Sequence, residues 1–306
     1  SGLIAERRAV RMPLMRATIH LVTSEDALGL RAVVRPVLER TFLTGSPFGR
    51  GLKGMDLEEV KAAGRALMEE LPRTRADLRR LLAGLWSDRD AEALAQAITY
   101  LVPVVQVPPR GLWGASEQAT WTPVESWLGR SLEPSSDPDG MILRYLAAFG
   151  PATVADVQAW SGLTRLREVM DRLRPRIRTF VDGDGMELFD LPGAPLPDPD
   201  TPAPPRFLPV FDNVYLGHAD RSRIVDDAVR RRLFNDGLSR GPVLIDGFIE
   251  ASWRLTRDGE ATTLLIEPFR RLSRNDAAAV VEEGARLLAF LAADAPSQDV
   301  RLTAPL

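Results

Sequence analysis

Cysteine is missing from this 306-residue chain, which excludes disulfides, thiolate metal sites and a thiol nucleophile. Only two histidines, His20 and His218, are present, and they form no H-E-x-x-H or other metal spacing. Neither G-x-x-x-x-G-K nor a credible G-x-G-x-x-G occurs, so the usual phosphate-cradling nucleotide loops are excluded. Asp182-Gly183-Asp184-Gly185 lacks the later bidentate Glu of a calcium loop and reads as a plain turn. No metal and no cofactor is expected. No apolar run approaches the ~20 residues of a membrane-spanning helix, and no signal peptide is visible. The expectation is a soluble, cytoplasmic monomer. Lysine is nearly absent too: of 39 basic residues only Lys53 and Lys61 are lysine, and the other 37 are arginine. Arginine suits bidentate phosphate contacts, although a GC-rich genome produces the same bias. Net charge is −3 and the pI about 5.6, which excludes a simple DNA-coating protein. Any nucleic-acid surface must be a one-sided patch.

The most informative stretch runs from Met141 to Leu188. Ile142, Leu143, Leu146 and Phe149 fall on one face at period 3.6, predicting a helix that Gly150-Pro151 ends. A second helix starts at Thr153, with Asp156 three positions on in the capping-box arrangement, and stops at Ser161-Gly162. A third, TRLREVMDRL, follows. RIRTFV and MELFDL, joined by the Asp-Gly repeat, predict a hairpin. Helices joined by a tight Gly turn and followed by a hairpin are the winged form of the helix-turn-helix, whose second helix enters a major groove. Here that helix and the strand after it carry Arg165, Arg167, Arg172, Arg174, Arg176 and Arg178 against Glu168 and Asp171.

The expected fold class is α+β: tandem winged helices, then a C-terminal β-rich domain with a terminal helix. SGLIAERRAV reads as the last turns of a helix already under way, and RMPLMRATIHLV alternates like a strand pair. Residues 1–23 are therefore expected to be the tail of a truncated first winged helix, with roughly 50–70 residues missing, about the size of one small unit. Residues 24–55 form a helical connector whose end, 42–54, reads as a Gly-rich loop. Thr74-Arg75-Ala76-Asp77-Leu78 resembles Thr153-Val154-Ala155-Asp156-Val157, both T-x-A-D-apolar, so 56–128 reads as a second winged helix with a long wing hairpin. Thr122, Pro123 and Glu125 have the pattern of a helix start. Residues 137–190 are the third winged helix, and 191–209 a linker with eight prolines in the eighteen residues from Pro192 to Pro209. In 210–306, FLPVFDNVYLGHADR, GPVLIDGFIEASWRLTR and ATTLLIEPF predict a small antiparallel sheet or half-barrel. A helix capped by Ser273 and Asp276 should cross it.

Candidate site residues are scattered. Arg16 and His20, four apart on a strand-like segment, would share a face suited to a phosphate or a displaced nucleotide. Arg110 and Trp113 lie on the long wing, where an exposed aromatic beside Arg can stack or wedge into a groove; such a Trp also commonly closes a hairpin core. Asp212, His218, Asp220, Arg221 and Arg223 crowd into twelve residues as either a structural or a site cluster.

RMPLMRATIHLVTSED, VPVVQVPPRGLWG with TPVESWLG, RYLAAFGPATVADVQAWSGL, and FDNVYLGHADRSRIV with IDGFIEASWR together resemble the winged-helix family of AlkZ-type bacterial DNA glycosylases. That resemblance spans the chain and implies tandem winged helices around double-stranded, damaged DNA. It also implies excision of alkylated purines and unhooking of interstrand crosslinks. The family's Gln-apolar-Gln or Gln-x-Asp motif does not occur among Gln96, Gln106, Gln118, Gln158 and Gln298. The resemblance places that motif upstream of Ser1, so the catalytic residues stay unassigned, with His20 as possible support, and this chain alone is expected to be inactive. A non-catalytic winged-helix DNA binder or regulator, and a protein-interaction scaffold, are the competing readings.

Overall fold

Helix starts in this protein are written by side-chain caps. Thr23, Asp56, Thr74, Asp90, Thr153 and Ser273 each accept backbone N–H groups two or three residues ahead, satisfying donors that the first helical turn leaves unpaired. The computed structural model describes residues 1–235 and 239–305. It divides into two compact units, Ser1–Leu191 and Pro192–Leu306.

The first unit begins with a one-turn helix, α1 (Gly2–Ala5), and the hairpin β1 (Ala9–Pro13) and β2 (Ile19–Thr23). Three helices follow: α2 (Ser24–Val33), α3 (Arg35–Leu43) and α4 (Pro47–Gly51). Next come α5 (Leu57–Glu70), β3 (Arg73–Thr74), α6 (Arg75–Leu85), α7 (Ala91–Leu101), β4 (Val104–Val107) and β5 (Thr120–Pro123). These strands form one antiparallel sheet in the order β2-β1-β4-β5-β3, joined through Arg11 opposite Gln106. Because strand side chains alternate between faces, the sheet separates two cores. Val104 and Trp121 pack with Val60, Met68, Leu82, Leu94 and Ile98 of α5 to α7. Val10, Met12, Val105 and Val107 pack with Leu28, Val37 and Leu38 of α2 and α3.

After α8 (Val124–Leu128) come α9 (Asp139–Phe149), α10 (Val154–Ser161), α11 (Arg167–Leu173) and the hairpin β6 (Arg178–Val181) and β7 (Glu187–Asp190), paired from Arg178↔Asp190 to Val181↔Glu187. Ile142, Leu146, Val157, Met170, Leu173 and Phe189 close a third core. Both T-x-A-D segments form complete capping boxes, Thr74 with Asp77 and Thr153 with Asp156.

Two local expectations in this unit need correction. Residues 42–54 are not a plain loop: Ser46 caps α4, Pro47 opens it, and Gly49 packs so closely that a Cβ would lie 2.2 Å from the Phe42 carbonyl oxygen. At 122–125 the helix starts one step late. The Thr122 hydroxyl donates to the Met68 carbonyl at 3.3 Å instead of capping, and Pro123 holds the cap position.

The second unit contains β8 (Arg206–Phe207), α12 (Asn213–Leu216), α13 (Asp227–Asn235), β9 (Gly241–Ile245), β10 (Phe248–Asp258), β11 (Ala261–Pro268), α14 (Arg274–Leu291) and β12 (Ser297–Leu302). Its sheet runs β12-β11-β10-β9-β8. It is mixed, not antiparallel throughout: β12 pairs parallel to β11 because α14 carries the chain back across one face. Val280, Gly284 and Leu288 are the buried positions of α14. FDNVYLGHADR is not a strand either. Asp212 accepts the Val214 N–H at 2.8 Å and starts α12, which buries Tyr215.

Candidate nucleic-acid interface

The arginine run at 165–178 is largely balanced by carboxylates that arrive from other elements. Glu187 on β7 accepts Arg167 at 3.0 Å and Arg174 at 2.9 and 3.2 Å. The Arg174 bond above all, joined by Arg167's, holds its carboxyl below the usual range, and burial opposes them. Arg174 also donates to Asp171 at 3.1 Å. Arg172 reaches back to the entry of α9, donating to Asp137 at 3.0 Å and, more closely, to Asp139. Arg178 sits 3.7 Å from the buried Asp190 and over the Phe180 ring. Arg165, in the left-handed region at φ 61°, and Arg176 are exposed, and neither has a carboxylate partner among the described residues. Four of the six arginines are thus ion-paired, toward β7 for Arg167, Arg174 and Arg178 and toward the entry of α9 for Arg172.

Arg16 and His20 do not share a strand face. Arg16 lies in the 3-10 turn Met15–Ala17 between β1 and β2, at φ 55°, and its guanidinium donates to the Trp160 carbonyl at the end of α10. Arg40 likewise donates to the Gly162 carbonyl. Two cations therefore meet the carbonyl end of one helix, where the backbone leaves acceptors open. Gly162, at φ 79°, makes room, since a Cβ there would lie 2.8 Å from Val37 Cγ1 and 3.2 Å from the Arg16 backbone.

His20 sits on β2 opposite Met12. Its Nδ1 lies 2.9 Å from the Thr18 carbonyl oxygen. A carbonyl only accepts, so Nδ1 carries the proton and the neutral ring offers its lone pair at Nε2. Burial first, and then the charge of Arg16, push the imidazole below its ordinary value; the Thr18 bond partly opposes them. The ring is therefore neutral at pH 7. Its neighbours Thr18 and Ile19 line a cavity of about 340 Å³ with Thr99, Tyr100 and Trp121.

Between β4 and β5, residues 108–119 form a long loop. Arg110 donates to the Glu117 carbonyl at 3.1 Å. Trp113 is 65% exposed, and its backbone N–H donates to Ser1 Oγ at 2.9 Å. The loop also covers Arg11, a residue that the sequence pattern does not single out. Arg11 Nε donates to Gln106 Oε1 at 3.1 Å. Burial, and then the like charge of Arg110, lower its pKa.

In the second unit, the five-residue cluster resolves into local bonds. Asp212 caps α12. Asp220 accepts both the N–H and the hydroxyl of Ser222 at 2.9 Å, which hold its carboxyl low, helped by Arg223 and His218. Arg221 stacks 4.9 Å from the centre of the Tyr215 ring, and His218 is buried. Among the described residues, no group of three or more His, Asp or Glu side chains is arranged to hold a metal ion.

The profile of the family "DNA glycosylase AlkZ-like" matches residues 1–290. The chain belongs to the AlkZ-like DNA glycosylase family. DNA is therefore its substrate class, and hydrolysis of a base–sugar bond its reaction class. The fold is similar to that of Streptomyces sahachiroi DNA glycosylase AlkZ, with a TM-score of 0.72 and 20% identity over 99% of this chain and 84% of that chain. No curated protein matches the chain by sequence. Within this AlkZ-like chain the glutamines are mostly engaged in structure. Gln106 holds Arg11, Gln158 Oε1 accepts the Leu166 N–H at 3.1 Å, Gln96 donates to Glu92 at 3.3 Å, and Gln298 donates to the Ala292 carbonyl at 2.8 Å. Gln118 is exposed on the long loop.

Proposed function

We propose that this protein excises alkylated purines from double-stranded DNA, including purines tied into interstrand crosslinks, acting as a monomer. The observation that carries the reading is the family match over residues 1–290. In this reading residues 56–128 and 137–190 act as winged helices, and 1–23 contributes the wing of another. The arginine surface at 165–178, Arg16, His20 and the loop bearing Arg110 and Trp113 line the DNA path.

The chemistry asks little of the protein. N3- or N7-alkylated purines are cationic, so they leave as neutral bases when the N-glycosidic pair of electrons departs with them. A water oxygen bonds C1′ and releases one proton. What must be supplied is a placed water and stabilisation of a positive sugar-like transition state. His20 is suited to placing the water, because its Nε2 lone pair can accept a hydrogen bond from it and the depressed pKa keeps that lone pair free at neutral pH. Arg16 is committed to the end of α10 and acts here by holding the turn that precedes His20.

The test is to isolate the gene product at its natural length and incubate it with a duplex carrying N7-methylguanine. Free base above the spontaneous rate is the expected result. The lack of a Gln-x-Gln pair among its glutamines favours one alternative, a non-catalytic DNA binder. Tight binding without release of any N3- or N7-alkylpurine would establish that alternative and overturn the proposal.

A further inference from the structure

Six described residues other than glycine lie in the left-handed region, and Phe211, at φ 69°, is the one aromatic among them. The Asp212 N–H donates to the Pro209 carbonyl at 3.2 Å, so Val210 and Phe211 are the middle of a four-residue turn. Positive φ at the third position is the type II arrangement, which normally reserves that place for glycine. A bulky side chain there is strained, and such strain persists only where the surroundings hold it. Bonds on both sides do so. Leu208 N–H donates to the Pro242 carbonyl at 2.9 Å, and the Leu208 carbonyl accepts Trp253 Nε1 at 2.8 Å. Beyond the turn, the Asp212 side chain caps α12.

The ring gains little burial in exchange. Phe211 is 62% exposed, whereas Tyr215, four residues on, is 4% exposed and closes the core of α12 and α13 with Val225, Leu233 and Ile249. A ring clamped onto the fourth helical residue, here Leu216, would be covered; this one stands mostly in water. Cations belong to the same pair of helices. Arg221 stacks on Tyr215 of α12, 4.9 Å from the ring centre. On α13, Arg230 is held by Asp227 at 3.0 Å, but Arg231 and Arg232 are exposed and meet no carboxylate among the described residues. An apolar side chain on a rigid tip, with arginines on the adjoining helix, is suited to opening a base step while the cations meet phosphates.

We propose that Phe211 is a DNA wedge, which enters between two stacked base pairs and kinks the duplex while Arg231 and Arg232 of α13 meet nearby phosphates. This deepens the DNA reading above and rests on it. The wedge reads no base edge. It favours disturbed DNA because a step already weakened by a damaged or mismatched base opens at lower cost.

The experiment uses the full chain and a duplex with one central mismatch, carrying a donor dye at one end and an acceptor at the other. Energy transfer reads the kink, anisotropy across a salt series reads affinity, and thermal melting of the free protein reads the strain. Wild type should raise the transfer on binding. Phe211→Ala and Phe211→Gly should both lose most of that rise and about tenfold in affinity, with Phe211→Leu keeping most of each. Their plots of log affinity against log salt should run parallel to wild type, since no charge has changed. Arg231→Gln with Arg232→Gln should flatten that plot by up to about 1.8. Phe211→Gly should also melt about 2–4 °C above Phe211→Ala, because only glycine relieves the left-handed backbone. A Phe211→Ala chain that kinks and binds the duplex like wild type would overturn the wedge, as would an unchanged salt slope for the double arginine variant. If Phe211→Ala instead altered only sedimentation of the free protein, the side chain would belong to a contact between copies. A wild-type chain with no affinity for the duplex would sink the DNA reading itself.

Discussion

Removing Glu187 should make this protein bind DNA more tightly at low salt. Its carboxylate neutralises both Arg167 and Arg174 across the α11–hairpin surface. Glu187→Gln keeps the shape and deletes the charge, so at most two guanidinium groups become available to phosphates. Each phosphate contact contributes about −0.9 to the slope of log affinity against log salt, so the variant's line should steepen by up to about 1.8. Between roughly 50 and 200 mM salt, its advantage over wild type should therefore shrink by about 12-fold. An internal control lies next door. Asp139 engages Arg172 alone among the arginines of this run, so Asp139→Asn should steepen the line by no more than about 0.9. Anisotropy titrations of one duplex at several salt concentrations read both values. Parallel lines for wild type and Glu187→Gln would refute the placement of this surface against the phosphate backbone.

Three further outcomes are expected. Thr74→Ala should cost about 1 kcal/mol, as loss of an ordinary cap, whereas Thr153→Ala should cost about 2–3 kcal/mol, because its hydroxyl also donates to a buried carboxylate. Asp156 is 2% exposed and the Asp77 side chain 39% exposed; equal losses in urea titrations would show that burial of the acid is irrelevant. At Gly64 a Cβ would lie 2.1 Å from Ile98 Cδ1, so Gly64→Ala should lose about 1–2 kcal/mol after its gain in helix propensity, and Ile98→Val should recover part of that in a double-mutant cycle. His20 binds its proton less readily in the native state than when unfolded. Its contribution is complete above about pH 6.5 and is lost as pH falls through the lowered native value. His20→Gln should accordingly lessen the fall in melting temperature on the acid side of neutrality, and an unchanged profile would contradict the assignment.

What was legible in the sequence is what is decided within a few residues. Thr153 with Asp156, Thr74 with Asp77 and Ser273 with Asp276 announce their helices because cap and donor are three positions apart. Apolar spacing marks α9, and Asp-Gly turns mark the hairpins, for the same reason. Failures begin where a distant partner decides. FDNVYLGHADR has strand-like composition, yet one carboxylate, Asp212, turns it into a helix start. Parallel pairing of β12 depends on where α14 delivers the chain. At the candidate site, the arginine run was conspicuous, but its neutralisation was not: Asp137, Asp139, Glu187 and Asp190 come from flanking elements. Arg11 went unnoticed because a single charged residue on an inner strand gains meaning only when β4 and its loop are laid beside it.

The joining of β1 to β4 has a consequence for synthesis on the ribosome. The apolar face that Val10 and Met12 present stays incomplete until Val105 and Val107 arrive beside it. From the end of β2 to the end of β4 the ribosome must add about 80 residues, which takes roughly 4–16 s at ordinary elongation rates. For those seconds the hairpin has one finished edge and one open edge, a template for pairing with neighbouring nascent chains. Slow codons or starvation within residues 24–107 would lengthen that interval, so the yield of native protein should depend on the speed of translation in this stretch more than in the Pro-rich linker.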